Sequence, residues 1–396
     1  MEVLRALGRR PFRTVGCVVG VWAGAWSVFY LMQEARRHWE LRSRQKKYSL
    51  LARDHETDEA WFGLANANER KNISSRFAPL RFCGRYLNVT PEWREQGMWE
   101  WFWWKVVHTA LYHGRFGWDG GYAHDQSTEE GRWRIEKLLP VESLDSERLW
   151  GKDVKPAAPS SGITYTCHFD HLDLSVIRWI PPKTRWIVPK GVAPLLVRNG
   201  VAAQQIKELS WWEETETGLP VSVRGNSGPE QVDRSMKVAA VPASHWSART
   251  PFDTNASLWS SYAVSVEAEQ EKPARFFFCG DSGYSPSLFK AIGRMYGPFA
   301  LAAIPIGSYE PRWHLSLQHM DPHGSVCVAQ DIGARKSFAT HWGTWNMSGA
   351  LSHYHTYTDE RWDDPPKDLE HALEAEHQPS SYLETVAFGA THAVPM

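Results

Sequence analysis

The residues able to do chemistry cluster first in 164–177, TYTCHFDHLDLSVI, where His168, Asp170 and His171 fall within four positions and Asp173 follows two residues later. Two imidazoles and a carboxylate at this spacing are metal-ligand types. Three further ligand types stand singly, each at the end of a short apolar run: His245 in VPASHW, Asp281 in FFFCGDSGY and His341 in SFATHW. Together these positions offer four imidazoles and two carboxylates, a donor set that suits zinc and also accommodates manganese or iron. Taken alone, any one of these histidines reads more readily as a satisfied core residue. A dense H-x-D-H followed by three isolated ligands at run ends argues for convergence on cations.

Ligands need rigid holders, and the sequence supplies alternating β-rich and helix-like runs. Strand patterns occupy 185–189, 236–244, 257–266, 274–280, 301–307 and 336–342. Helix patterns cover 285–296, 322–332 and 365–377, the last opening on Pro365 and Pro366. This alternation predicts an α/β sandwich with sheets inside and helices outside. Gly280 and Gly283 permit a tight turn that presents Asp281. Upstream, residues 33–90 read as a charged connector with helical pieces. They belong to a 33–140 segment that also crowds Trp93, Trp99, Trp101, Trp103 and Trp104 together, where indoles suit either a membrane boundary or a packed helix. Residues 141–161 read as a linker, and the domain proper spans 162–396.

The chain of 396 residues is 42% hydrophobic, enough for a sizeable core. Its 44 Lys and Arg balance 45 Asp and Glu, for a formal net charge of −1, so no global field favours nucleic acid. Five scattered cysteines without a C-x-x-C pair argue against a disulfide framework or a zinc ribbon and place the protein in a reducing space. Four N-x-[ST] sequons, at Asn72, Asn88, Asn255 and Asn346, carry little weight, because chance produces the pattern often.

From Thr14 to Met32 there are 19 uncharged residues, which as a helix would reach roughly 28 Å, close to a bilayer core. The expectation is a transmembrane anchor over 14–32, after a basic segment 1–13 and before a second basic cluster. A buried hydrophobic helix is the alternative. The Arg-rich, acid-poor start is compatible with mitochondrial import.

CHFDHLD, PASHW, FFFCGDSGY, GPFALAAIPIGSYEPRW, QHMDP and THWGT, in this order, resemble the N-acylphosphatidylethanolamine-specific phospholipase D branch of the metallo-β-lactamase superfamily. The resemblance covers about Gly162 to His377, with weaker similarity around PEWRE and LLPV. It implies an αββα sandwich, two zinc ions with a bridging water, and hydrolysis of N-acylphosphatidylethanolamine, a membrane phospholipid, to an N-acylethanolamine and phosphatidic acid. Carried over by position, His168 and His245 are expected on the first zinc, Asp170, His171 and His341 on the second, and Asp281 between them, with Asp281 and Asp170 as the catalytic carboxylates. Asp173 is expected to hydrogen-bond a ligand from behind, and Gln318 and His319 to meet the substrate head group. From the residues alone, Gln318 could equally cap a helix and Arg312 pair with a carboxylate. The resemblance further implies a homodimer and, from fungal relatives, the mitochondrial inner membrane.

The pattern breaks at one place. The family motif is H-x-H-x-D-H, and here Thr166 stands at its first position, removing one ligand of the first zinc. Cys167 is a poor substitute, because neighbours on a strand face opposite ways. The family's W-x-G-H-[AS] and D-P-[VI]-F-S segments are also missing between Pro140 and Thr166, which leaves the amino-terminal half of the sandwich short of strands. Three readings follow: an incomplete or mis-spliced version of an active enzyme, a variant with one tight zinc and a weak or empty second site, or a non-catalytic membrane scaffold. A lactamase-fold hydrolase of another ester or lactone is the enzymatic alternative.

Overall fold

A computed structural model of the chain describes residues 11–49, 61–96, 161–168, 171–225, 228–250, 252–266, 273–343 and 363–386, together with Glu100, Trp103 and Glu360. Asp170, most of the 97–160 segment, and Trp99, Trp101 and Trp104 within it lie outside the described residues.

The apolar start does form a helix, α1, but it runs unbroken from Pro11 to Lys47. Among the described residues no helix is long and apolar enough to cross a membrane, so the anchor expected over 14–32 is not upheld. Gly20, Gly24, Ser27 and the indoles of Trp22 and Trp26 dilute the apolar run. The helix then continues into a charged half that docks on the domain. Arg37 is fully buried there, with Nε 2.8 Å from Glu34 Oε2, Nη1 donating to the Thr90 carbonyl at 3.1 Å and Nη2 donating to the Trp93 carbonyl. Trp93 itself is buried and Trp103 is exposed.

The connector region adds substance to the core. Helix α2, Ala67–Arg76, starts with a capping box in which Asn66 accepts from the Asn68 and Glu69 N–H groups and Glu69 accepts from the Asn66 N–H. The hairpin of β1, Leu80–Phe82, and β2, Arg85–Leu87, follows. Ile73, Phe77, Leu80, Tyr86, Leu87 and Val89 join the same buried cluster as the centre of the domain.

Two sheets face each other. The smaller has three parallel strands, β3 (Ser161–Ile163), β4 (Arg185–Pro189) and β5 (Ile206–Leu209), in that order. The larger has seven strands in the order β12-β11-β10-β9-β8-β7-β6. Its members are β6 (Glu214–Gly225), β7 (Gly228–Val241), β8 (Ser261–Val266), β9 (Ala274–Phe278), β10 (Leu301–Pro305), β11 (Ser337–Thr340) and β12 (Leu383–Glu384). Strands β9 to β12 run parallel, and β6, β7 and β8 join antiparallel. Ile187 and Leu209 of the small sheet pack against Met236, Val238, Ala240, Tyr262 and Val264 of the large one. Trp186 and Val188 point the other way, into a cluster with Leu172, Val192, Leu196 and Val201. Helix α3, Ala193–Arg198, supplies part of that cover, so β4 is buried on both faces, as parallel strands require.

The outer face of the large sheet is covered by α4 (Pro286–Tyr296), α6 (Pro322–Ile332) and α7 (Asp364–Ala375), with the short α5 (Arg312–Leu315) between the first two. On α4, Leu288, Phe289, Ile292 and Met295 are buried at helical spacing and join the central cluster. Among the described residues the arrangement is a two-sheet α/β sandwich of three and seven strands.

Candidate metal centre

Three of the expected ligands hang from one edge of the large sheet. His245 follows β7, Asp281 follows β9 and His341 follows β11. These three strands run the same way, because β7 and β9 are each antiparallel to β8 and β9 to β11 are parallel, so their carboxyl ends share one rim. His171 reaches the same place from the loop between β3 and the 3₁₀ turn Leu174–Trp179.

Asp281 is the hub and is only 3% exposed. Its Oδ2 lies 3.0 Å from His171 Nε2 and 3.7 Å from His245 Nε2, and its Oδ1 lies 3.5 Å from His341 Nε2. Two groups of donor atoms share it: His171, Asp281 and His341, and His245, Asp281 and His319, each with all donor atoms within 4.8 Å of one another. Donors on a tetrahedral cation with bonds of about 2.0–2.1 Å sit roughly 3.3 Å apart, so the observed spacings fit a shared cation. Among the described residues, the Nδ1 atoms of His245 and His319 are buried with no hydrogen-bond partner, a costly state for a nitrogen that nothing coordinates. The donor set fits a divalent cation on both counts.

The electrostatics agree. Burial by itself would raise the Asp281 carboxyl, but His341, His171 and His319 around it hold it well below the usual carboxylate range. Burial pushes the His245 imidazole well down, and the same cause takes His319 down to about 3. Both rings are therefore neutral near pH 7, the form that ligates metal.

Positioning is specific. Gly280 sits at φ +62°, and a Cβ there would meet the ring of Tyr165, so glycine both makes the turn into Asp281 and lets Tyr165 close over it. His341 also adopts a left-handed backbone, at φ +59°, and its Nδ1 lies 3.3 Å from the Gly307 carbonyl, which turns Nε2 toward Asp281. The loop holding Gly307 is pinned from below by Glu360, whose carboxylate accepts the N–H groups of Ser308 at 2.7 Å, Tyr309 at 2.6 Å and Glu310 at 3.3 Å. Asn88 donates from Nδ2 to the His245 carbonyl at 2.9 Å, and the Thr90 and Ser244 hydroxyls meet at 3.0 Å. Asn88 is thus a buried anchor of the His245 loop and no exposed sequon. Nothing in its local sequence announced this role, since the His245 carbonyl it holds lies 157 positions away in the chain, while its Oδ1 accepts from Thr90 close by.

The other expected residues take these places. His168 belongs to neither donor group. Its Nε2 lies 3.2 Å from the Trp246 carbonyl, and its ring stands edge-on to Trp246 at 4.5 Å and to His245 at 5.4 Å. Thr166, two residues earlier and on the same side, turns its hydroxyl to that same carbonyl at 3.5 Å and is fully buried. Cys167 faces away into the cluster behind the small sheet. Asp173, expected behind a ligand, caps the exposed 3₁₀ turn, accepting from the Ser175 N–H at 2.8 Å and hydroxyl at 2.9 Å. His319, expected at the substrate, stacks on His341 at 5.3 Å and stands edge-on to His245 at 5.2 Å, inside the second donor group. Gln318 is buried beside it. Arg312 pairs with Asp321 at 3.1 Å, and Asp321 caps α6. Asp170 falls outside the described residues.

Comparison with known proteins bears on the same region. A beta-lactamase superfamily domain matches residues 151–342. The N-acyl-phosphatidylethanolamine-hydrolyzing phospholipase D 1 of Caenorhabditis elegans is 36% identical over 193 residues, 47% of this chain and 49% of that protein. The mitochondrial N-acyl-phosphatidylethanolamine-hydrolyzing phospholipase D of Saccharomyces cerevisiae is 36% identical over 185 residues, 46% of this chain and 36% of that protein. The outer membrane protein RomA of Klebsiella pneumoniae is 36% identical over 108 residues, 27% of this chain and 75% of that protein. The chain spans about half the length, or less, of the first two relatives. With the domain match, the shared identity and the sheet edge that carries the ligand types all pointing one way, residues 151–342 carry a beta-lactamase superfamily domain similar to the N-acyl-phosphatidylethanolamine-hydrolyzing phospholipases D of C. elegans and S. cerevisiae.

Proposed function

We propose that this chain is a zinc-dependent phosphodiesterase that hydrolyses N-acylphosphatidylethanolamine to an N-acylethanolamine and phosphatidic acid. The observation that carries the reading is the buried Asp281, shared by two groups of imidazole donors at a strand-end rim. The relatives from C. elegans and S. cerevisiae, whose names state this hydrolysis, supply the substrate class. His171, Asp281 and His341 would hold one cation, with Asp170 beside them in sequence, and His245, Asp281 and His319 the other. When bound, such cations supply Lewis acidity toward a phosphate oxygen and lower the pKa of water toward neutrality. Asp281 sets the charge of the site and keeps both groups in register. Gln318, next to His319, is the residue we assign to the head group. Mitochondria are the address we propose, after the designation of the yeast relative.

The test is direct. The full chain, loaded with zinc, is given vesicles containing N-acylphosphatidylethanolamine, and release of N-acylethanolamine is followed by mass spectrometry. Product release that Asp281→Asn abolishes is the expected result. A folded protein with zinc bound that releases none, while cleaving a soluble ester or lactone, would move the assignment to that class.

A further inference from the structure

A second, separate set of ligand-type side chains lies on the helical layer. His323 and Cys327 are four residues apart on α6, one turn along the same face. Glu376 reaches them from the end of α7, where its own N–H is fixed on the Ala372 and Glu374 carbonyls. His323 Nε2 is 2.9 Å from Glu376 Oε1, and Cys327 Sγ is 3.9 Å from His323 Nδ1. The other carboxylate oxygen of Glu376 accepts from Gln330 Nε2 at 3.3 Å. One donor atom from each of the three residues lies within 4.8 Å of the other two.

We propose that His323, Cys327 and Glu376 bind one soft divalent cation, of the zinc, cobalt or cadmium type, as a clip between α6 and the end of α7. Thiolate, imidazole and carboxylate together prefer such ions over magnesium or calcium. With bonds of about 2.3 Å to sulfur and 2.0–2.1 Å to nitrogen, the two donors on α6 need only a small closing movement. The side chain of His323 is 55% exposed, so a cation arrives from solvent and water completes its coordination. The Glu376 carboxylate supplies negative charge beside the two α6 donors. Binding displaces the proton to solvent and leaves a sulfur–metal bond, with no change of oxidation state. The clip ties α6, whose first turn follows His319 and is capped by Asp321, to α7, whose Leu369, Ala372 and Leu373 are in the central core.

The Asp281 centre contains no cysteine, which makes the two sites spectroscopically separable. Full-length protein stripped with chelator is titrated with Co²⁺, and the thiolate-to-cobalt charge-transfer band in the near ultraviolet is recorded. The band is expected at one equivalent in the wild type and in Asp281→Asn, and is expected to vanish in Cys327→Ser. Glu376→Gln and His323→Gln, which change side chains at the surface end of the cluster, are expected to weaken the titration about tenfold or more. Absence of the band in the wild type overturns the proposal. So does an unchanged band in Cys327→Ser, which would assign it to another cysteine. Should Cys327→Ser fail to fold, an undiminished Co²⁺ affinity in His323→Gln overturns it equally.

Discussion

Asp281→Asn is the sharpest perturbation of the proposed centre, because the two side chains have nearly the same shape and only the charge and one oxygen change. Asp281 belongs to both donor groups, so each loses one ligand of three and the negative charge that favours a cation. Loss of residues that merely orient ligands costs about 10–100-fold in metal affinity. Loss of the ligand itself should therefore cost about 100-fold or more at each group. At a metal concentration of about 100 times the wild-type Kd, one bound cation stabilises the fold by about 2.7 kcal/mol, and a 100-fold weaker site at that concentration gives only about 0.4 kcal/mol. The difference, about 2.3 kcal/mol per cation, corresponds to about 5–9 °C at about 2–4 °C per kcal/mol for a domain of 150–250 residues. The assay is the Tm of wild type and variant with zinc and with chelator. The wild type should gain from zinc and Asp281→Asn should gain little, with elemental analysis showing fewer bound equivalents. A variant that keeps the full zinc increment would refute the claim that Asp281 joins the two groups.

Three further outcomes follow from the same geometry. Glu360→Ala strips the partners from the Ser308, Tyr309 and Glu310 N–H groups; at about 1–3 kcal/mol for each buried donor left unmade, a denaturant titration should register a loss of several kcal/mol, and zinc affinity should fall as His341 loosens. Restoring the family pattern with Thr166→His should not raise bound zinc, since Thr166 is fully buried and the imidazole overfills its site, costing about 1–3 kcal/mol; an added equivalent of zinc by elemental analysis would contradict this. Arg37→Met leaves Glu34 and the Thr90 and Trp93 carbonyls without their buried cation, at about 3–5 kcal/mol, and limited proteolysis should then cut within α1, whereas equal protease resistance would mean that α1 does not depend on this docking.

The legible parts of the chain were those where local pattern and tertiary role coincide. The apolar runs at 185–189, 274–280, 301–307 and 336–342 contain β4, β9, β10 and β11, and the helix patterns at 285–296, 322–332 and 365–377 overlie α4, α6 and α7. Asp281, His245 and His341 could be placed because each follows such a strand. Elements that owe their existence to partners were not legible. The polar ETETGLPVSVRG of β6 holds as a strand because it pairs along its length with β7, from Glu214 opposite Ala239 to Gly225 opposite Gly228. The charged half of α1 looked like connector because the group that buries it is an arginine. His319 was set at the head group by the family resemblance alone, and it follows no strand; α5 and the turn after it bring it to the centre.

The oddity at Thr166 is best understood from which sheet supports the centre. Of the residues in the two donor groups, His245, Asp281 and His341 are carried by the seven-stranded sheet and His319 by the loop between α5 and α6, and only His171 comes from the side of the three-stranded sheet. The threonine that departs from the family motif stands just after β3, on the three-stranded side. There the Trp246 carbonyl occupies Thr166 and His168 at 3.5 and 3.2 Å, so backbone polarity on the His245 loop is met by two side chains that the family motif would give to a cation. The strand ends holding the other ligands do not depend on that exchange: the His245 loop is fixed from elsewhere, by Asn88, by Ser282 through the Ser244 N–H at 2.9 Å, and by Trp259, whose indole N–H donates to the Ala243 carbonyl at 2.8 Å. The Asp281-centred site therefore draws its rigidity from the seven-stranded sheet, which carries His245, Asp281 and His341.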